Sequence, residues 1–352
     1  MRIVFMGTPE FAVPTLERVV LAGHNVPLVL TQPDRPRGRG GRLAASPVKE
    51  AALRLGLALY QPERVRRPEV VELLRALGSD AMVVVGYGQI IPQSIIDLPR
   101  HGIINVHASL LPRYRGAAPV QWAVANGDNV TGVTTMRIDA GLDTGDMLMR
   151  YETAIGAEED AVEVGARLAC AGAHLLVATL GALEAGTVRP VPQNDAEATL
   201  APILKKDDGL VDWNAPATAI ANRARGFLPW PGVWTWFRGQ VFHIWKARAA
   251  DSPWQTSVRV QFGDRQRDSA ATAGSFSVAS RCGMSSPVPE LDERPPCGAL
   301  TVEHRRLLVQ CGAGTRLELL EVQQEGRKRM SAEAFLNGLH SGGNDILGVK
   351  AS

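Results

Sequence analysis

The sequence predicts an α/β chain: a doubly wound, mostly parallel sheet in its first part, followed by a small OB-like β-barrel. Three observations lead there. Short β-branched runs at 3–6, 81–85 and 103–107 alternate with helical patterns, as strand–helix units on a parallel sheet do. A proline-bearing stretch at 187–204 then interrupts the periodicity and reads as a linker. Beyond it come short strands at 233–237, 241–247, 299–302, 306–310 and 316–322, separated by turns, the pattern of a small barrel. At 352 residues the chain exceeds one typical domain. A catalytic domain over 1–186 and a second domain over 205–345 are therefore expected.

Taken in order, residues 3–6 form the first strand, and Gly7-Thr8-Pro9 opens a helix with Thr8 as N-cap and Pro9 at its first position. A dinucleotide fingerprint needs three spaced glycines here, and Gly7 stands alone. Next comes Thr31 to Arg42, with arginines at 35, 37, 39 and 42 spaced by glycine and proline and almost nothing apolar to bury. Ser46-Pro47 starts the following helix. The buried strand at 81–85 runs into a glycine-rich loop, Gly86-Tyr87-Gly88-Gln89-Ile90-Ile91, which suits a flat heteroaromatic ring as well as it suits a packed turn.

The strand at 103–107 ends in polar residues, and period-2 alternation puts Asn105 and His107 on one face at its C-terminal end, where open parallel sheets bind ligands. Pro112, Gly116 and Pro119 make the next stretch a loop, and a helix runs from about 118 to the Asn126-Gly127 cap. The strand at 130–138 leads through Asp139-Ala140-Gly141 to Asp143, which this unit returns to the side carrying His107. A long helix at 157–185 has Glu158, Glu159 and Asp160 in its first turn and Gly186 past its end. Another lies at 215–225.

An amide, an imidazole and a carboxylate on one sheet unit suit acyl transfer to an amine. Donors are wanted where a tetrahedral oxyanion forms, and a modest base suffices for an α-amine that titrates near ~7.7 to 8.0. Asn105 supplies an amide N–H and His107 a ring N–H. Asp143, if bonded to the other ring nitrogen, would fix the tautomer and stabilise charge on the ring. Asp143 and Asp146 also make good turn chemistry on their own.

Asn105-Val-His107-Ala-Ser109-Leu-Leu-Pro112, Leu142-Asp143-Thr-Gly145-Asp146 and Met6-Gly7-Thr8-Pro9-Glu10-Phe11 together resemble the folate-dependent formyltransferases, over residues 1 to about 248 and again from about 298 to 338. The resemblance implies that Asn105, His107 and Asp143 are catalytic. It implies 10-formyltetrahydrofolate as donor, held by Gly86, Tyr87, Gly88, Gln89, Ile90, Ile91, Ser109, Leu110, Leu111, Pro112, Asp139, Ala140 and Gly141. It also implies an acceptor, the methionyl α-amine of initiator methionyl-tRNA, in translation initiation. The basic loop then reaches the acceptor end through Arg39 and Arg42, beside Arg35 and Arg37, with Lys205, Lys206, Arg223 and Lys246 in the second domain. The rivals are another acceptor within the family (an amino sugar, a glycinamide ribonucleotide or water) and a non-catalytic RNA-binding module.

Charge favours the tRNA reading. Residues 1–200 carry 19 Lys and Arg against 21 Asp and Glu, whereas 201–352 carry 19 against 15, so the second part is the basic one. Arg225, Arg248, Arg327, Lys328 and Arg329 extend that face, which is equally readable as a solvated surface. The tryptophans at 213, 230, 234, 236 and 245 are expected in core and interdomain packing. Four cysteines without a C-x-x-C pair argue against zinc or a disulfide framework, and no metal is expected. No run of eighteen apolar residues and no signal-like start point to a cytoplasmic protein without membrane contact, expected as a monomer. Residues 251–297, rich in Ser, Pro and Arg, depart from the family and are expected to form a flexible insertion.

Overall fold

The computed structural model describes residues 1–37, 42–250, 295–338 and 345–348. Its first layer is a seven-stranded sheet of β1 (Arg2–Gly7), β2 (Asn25–Leu30), β3 (Leu59–Tyr60), β4 (Ala81–Val85), β5 (Ile103–His107), β6 (Val130–Arg137) and β7 (Met147–Ala154), in the order β7-β6-β5-β4-β1-β2-β3. From β3 across to β5 every pairing is parallel, and β6 and β7 add antiparallel strands at one edge.

Alternation sends the two sides of each strand into separate cores. Ile3 and Phe5 join Ile104 and Val106 under α1 (Val13–Leu21), α2 (Pro47–Arg54) and the long α6 (Ala161–Glu184). Val4, Met6, Met82 and Val84 face the other way, onto α3 (Pro68–Leu77) and the short α4 (Gln93–Ile96). With helices on both faces, the sheet is doubly wound.

Three local expectations shift. Thr8 caps no helix: a 3-10 turn at Glu10–Ala12 comes first, and the Thr8 hydroxyl donates to the Tyr87 carbonyl at 3.0 Å, joining the loops that leave β1 and β4. The long helix starts at Ala161, so Glu158 and Glu159 precede it. Asp160 is its N-cap and forms a reciprocal capping box with Glu163, worth about 1 kcal/mol. Although α6 is long and apolar enough to cross a membrane, its Val164, Leu168, Leu176, Leu180 and Leu183 are buried in the first core. The arginine-bearing loop is a two-stranded hairpin, Arg35–Arg37 against Arg42–Ala44. Arg39 and the side chains of Arg37 and Arg42 lie outside the described residues, as does nearly all of the insertion expected at 251–297.

The second domain is one antiparallel sheet of β8 (Val233–Phe237), β9 (Gln240–Ala249), β10 (Leu300–Glu303), β11 (Arg306–Gln310) and β12 (Arg316–Gln324), with β13 (Met330–Ser331) paired to β12. Two register shifts in the β9–β12 ladder bend it. Phe242, Ile244, Leu307, Val309, Leu317 and Leu319 form its core with α7 (Ala217–Gly226) and α8 (Ala332–Asn337). Trp213 is buried there as expected and Trp234 is buried as well, whereas Trp230 is 55% exposed.

The domains join where α5 (Pro119–Ala125) crosses α7. A Cβ on Gly226 would sit 2.5 Å from the Ala125 backbone nitrogen, so only glycine permits this approach. Trp122 packs edge-on against Phe227, with ring centroids 5.3 Å apart. The stretch at 187–204 hugs the first domain: Val191 bridges Met147, and Leu200–Ala201 pairs in parallel with Arg115–Gly116.

Candidate active site

Asn105 and His107 alternate with Ile104 and Val106, so they point away from the first core at the end of β5, both nearly buried. Asp143 arrives by a route the sequence did not suggest. Because β6 runs antiparallel to β5, its end at Arg137 lies beside Ile104, and the loop at 138–146 folds back over the face of β5. Two close approaches that only glycine allows make that loop possible: Cβ atoms at Gly145 and Gly141 would fall 2.0 Å from the Arg137 carbonyl and 1.9 Å from the Thr144 hydroxyl.

The three groups converge. Asn105 Nδ2 donates to Asp143 Oδ1 at 3.4 Å, and His107 Nδ1 lies 3.7 Å from Asp143 Oδ2. That second separation is a charge contact, longer than a hydrogen bond. The imidazole is held instead from its far side, where Nε2 faces the Tyr114 carbonyl at 2.9 Å. A carbonyl only accepts, so this contact places the proton on Nε2 and leaves Nδ1 facing Asp143. The expectation that Asp143 fixes the tautomer is thereby corrected: the Tyr114 backbone does so. The Gly116 N–H donates to Asp143 Oδ2 at 2.9 Å.

Asp143 has φ of 52°, a left-handed conformation that costs a non-glycine residue roughly 1 kcal/mol and that Asp tolerates better than most. It persists because both ends are tied. Its carboxylate is bound as above, and its carbonyl accepts from Gln193 Nε2 at 2.8 Å, as does the Gly145 carbonyl, also at 2.8 Å. Tyr114, Gly116 and Gln193 escaped the sequence reading: two act through the backbone, which carries no residue-type signal, and the third lies in the stretch read as a linker.

Around the trio, Val84 pairs with Asn105, so Gly86 leaves β4 about abreast of His107. The Tyr87 phenol turns into the second core, where burial pushes its titration well above the ordinary value. Gln89 is also turned inward, accepting from Val65 N at 2.7 Å and donating to the Pro62 carbonyl at 3.1 Å. The 86–91 loop therefore presents backbone, together with an Ile90 that is 92% exposed. Ser109, Leu111 and Pro112 are buried, and the Ser109 hydroxyl donates to the Arg113 carbonyl at 2.6 Å, so they shape the turn. Leu110 is half-buried. In the opposite loop Ala140 and Gly141 are exposed, and Asp139 accepts from Gly141 N and the Thr144 hydroxyl.

Of the basic residues, Arg225, Lys246, Arg248 and Arg329 line one groove. Arg35, Lys205, Lys206, Arg223 and Lys246 are exposed, with Lys206 over the Trp234 ring and Arg223 over Phe227. Arg225 ties the domains, donating to the Gly156 carbonyl at 3.2 Å and the Glu159 carbonyl at 2.9 Å. Arg248 binds Glu318 at 2.8 Å, and Arg329 pairs with Glu321.

A doubly wound sheet with an amide, an imidazole and a carboxylate over one strand end is an arrangement suited to acyl transfer, and the chain belongs to the formyl transferase family. The formyl transferase model matches residues 1–180, and the model of the formyl transferase C-terminal domain matches residues 203–340. The chain is 59% identical over 348 residues, 99% of both chains, to the methionyl-tRNA formyltransferase of Solibacter usitatus. To that of Koribacter versatilis it is 52% identical over 353 residues, all of both chains. Among solved structures, WlaRD, a sugar 3N-formyl transferase studied with dTDP and 5-N-formyl-THF, superposes with a TM-score of 0.60 at 14% identity, over 93% of this chain and 99% of that one.

Proposed function

We infer that this chain transfers the formyl group of 10-formyltetrahydrofolate to the α-amine of methionine on initiator methionyl-tRNA, in translation initiation. The observation that carries the reading is the 59% identity across both domains with a protein of that name. The convergence of Asn105, His107 and Asp143 supports it. We propose these three as the catalytic residues. The methionyl nitrogen attacks the formyl carbon, and the carbonyl π electrons move to oxygen. The free N–H of Asn105 and a protonated His107 Nδ1 face that oxyanion. One such donor is typically worth on the order of 100- to 1000-fold in rate. His107 comes by that Nδ1 proton from the attacking amine, which its lone pair takes with Asp143 alongside, and the oxyanion collapses as the C–N bond to the folate N10 breaks and N10 gains the same proton.

The pterin is proposed to lie between the backbone of 86–91, where the Tyr87 and Gln89 side chains turn inward, and the exposed 139–143 loop. The arginine hairpin and the exposed lysines and arginines of the second domain are proposed to meet the tRNA. We propose a monomer working in the cytoplasm. The direct test supplies 10-formyltetrahydrofolate with initiator methionyl-tRNA, elongator methionyl-tRNA, free methionine and glycinamide ribonucleotide in turn. Formylation of the initiator tRNA alone, or far ahead of the rest, is expected. Preferential formylation of the ribonucleotide, or none of any acceptor, would refute the reading.

A further inference from the structure

Gln193 belongs to the stretch between the domains, yet its side chain lies within the active-site loop. Its two amide hydrogens are both used, one on the Asp143 carbonyl and one on the Gly145 carbonyl, each at 2.8 Å. Its oxygen accepts from Arg115 Nε at 3.0 Å, which fixes which end of the amide faces the loop. Arg115 is itself buried and anchored on Asp195 at 2.8 Å. The same stretch pins the opposite wall: Arg115 N donates to the Thr199 carbonyl at 2.8 Å, Tyr114 N to the Thr199 hydroxyl at 2.9 Å, and Ala117 N to the Ala201 carbonyl at 2.9 Å. Gly116, which holds Asp143, thus sits on the strand paired to it, and Tyr114, which holds His107, immediately precedes that strand.

We propose that Gln193 is a positioning residue: its amide clamps the two carbonyls that hold Asp143 in its left-handed conformation and so sets the carboxylate against Asn105 and His107. The inference rests on the reading of those three residues as the catalytic group. Glutamate at 193 has the same shape and keeps a partner for Arg115, even as a full ion pair, but an ionised carboxylate donates to neither carbonyl. Space filling and anchoring of the connector survive that change, whereas positioning of Asp143 does not.

The experiment compares Q193E and Q193M with the parent protein and with D143N, in steady-state formylation of initiator methionyl-tRNA. Melting temperatures are measured alongside, and Q193M, apolar and of equal reach, covers a failure of Q193E to fold. A misplacement near 1 Å costs about 100-fold, so kcat should fall roughly 10- to 100-fold in whichever variant is folded. KM for both substrates should stay within about threefold. A kcat within threefold of the parent in a folded variant, with D143N impaired about 30-fold or more, overturns the proposal. So does a loss confined to KM for the tRNA, the mark of a loosened connector. Full activity in D143N would instead sink the catalytic assignment.

Discussion

Replacing Asp143 by asparagine keeps its volume, removes one charge and turns one acceptor into a donor. In the parent, Oδ2 accepts from Gly116 N at 2.9 Å and Oδ1 from Asn105 Nδ2 at 3.4 Å. An amide in either orientation turns its NH₂ toward one of those donors, so one bond is lost. The charge matters more. At 3.7 Å from His107 Nδ1, with side chains 18% and 6% exposed, a carboxylate stabilises a cation on the ring by about 4 kcal/mol at an effective dielectric constant near ~20. If half to all of that is present only when the ring is protonated in the transition state, each ~1.4 kcal/mol is a decade, and kcat falls by about 30- to 1000-fold. The carboxylate is engaged by Asn105 and the Gly116 N–H, so KM for both substrates is expected to move by less than about threefold. Initial rates with charged initiator tRNA, its formylated and free forms separated at acid pH, give both constants. A D143N enzyme with kcat within threefold of the parent would refute the electrostatic argument.

Gly226→Ala should force α5 and α7 apart, because the added carbon meets the Ala125 backbone at 2.5 to 2.7 Å; a loss of roughly 1–3 kcal/mol is expected in urea unfolding. The Glu318 carboxyl is held below its ordinary range by hydrogen bonds from Arg306 and then Arg248, which outweigh its burial. A depressed carboxyl adds stability that is present above the unfolded value of 4.5 and is lost as pH falls through the folded value. Glu318→Gln should therefore cost about 1–2 kcal/mol at pH 7, with a gap to the parent that closes below about pH 4, read from melting across pH. Burial pushes the Cys311 thiol up to about 12, while Cys170 and Cys297 are exposed. Maleimide at pH 7.5 should label those two in the native protein and reach Cys311 only on unfolding, as peptide mass spectrometry would show.

Much of the site was written locally. Period-2 alternation in 103–107 is enough to put Asn105 and His107 on one face, since neighbouring residues of a strand point to opposite sides. Ser46 before Pro47 marked the start of α2, and Pro119 with Asn126-Gly127 bracketed α5, because capping and proline geometry are read within a few residues. Which of two adjacent groups wins a partner is less local: Thr8 bonds the Tyr87 carbonyl across the sheet instead of capping a helix, and Asp160 is the N-cap of α6, with Glu158 and Glu159 ahead of the helix and not in its first turn.

By itself the sequence determined the strand that carries the amide and imidazole, the helices α2, α5 and α6 and the basic character of the second domain, all set by residue type and spacing along the chain. Only the tertiary structure decided the antiparallel sense of β6, the Tyr114 carbonyl on His107, and the return of Gln193 to the Asp143 loop across fifty residues. Backbone carbonyls and N–H groups are common to nearly every residue, so which of them meets a side chain is settled by where the folded chain passes, not by what is written at that position.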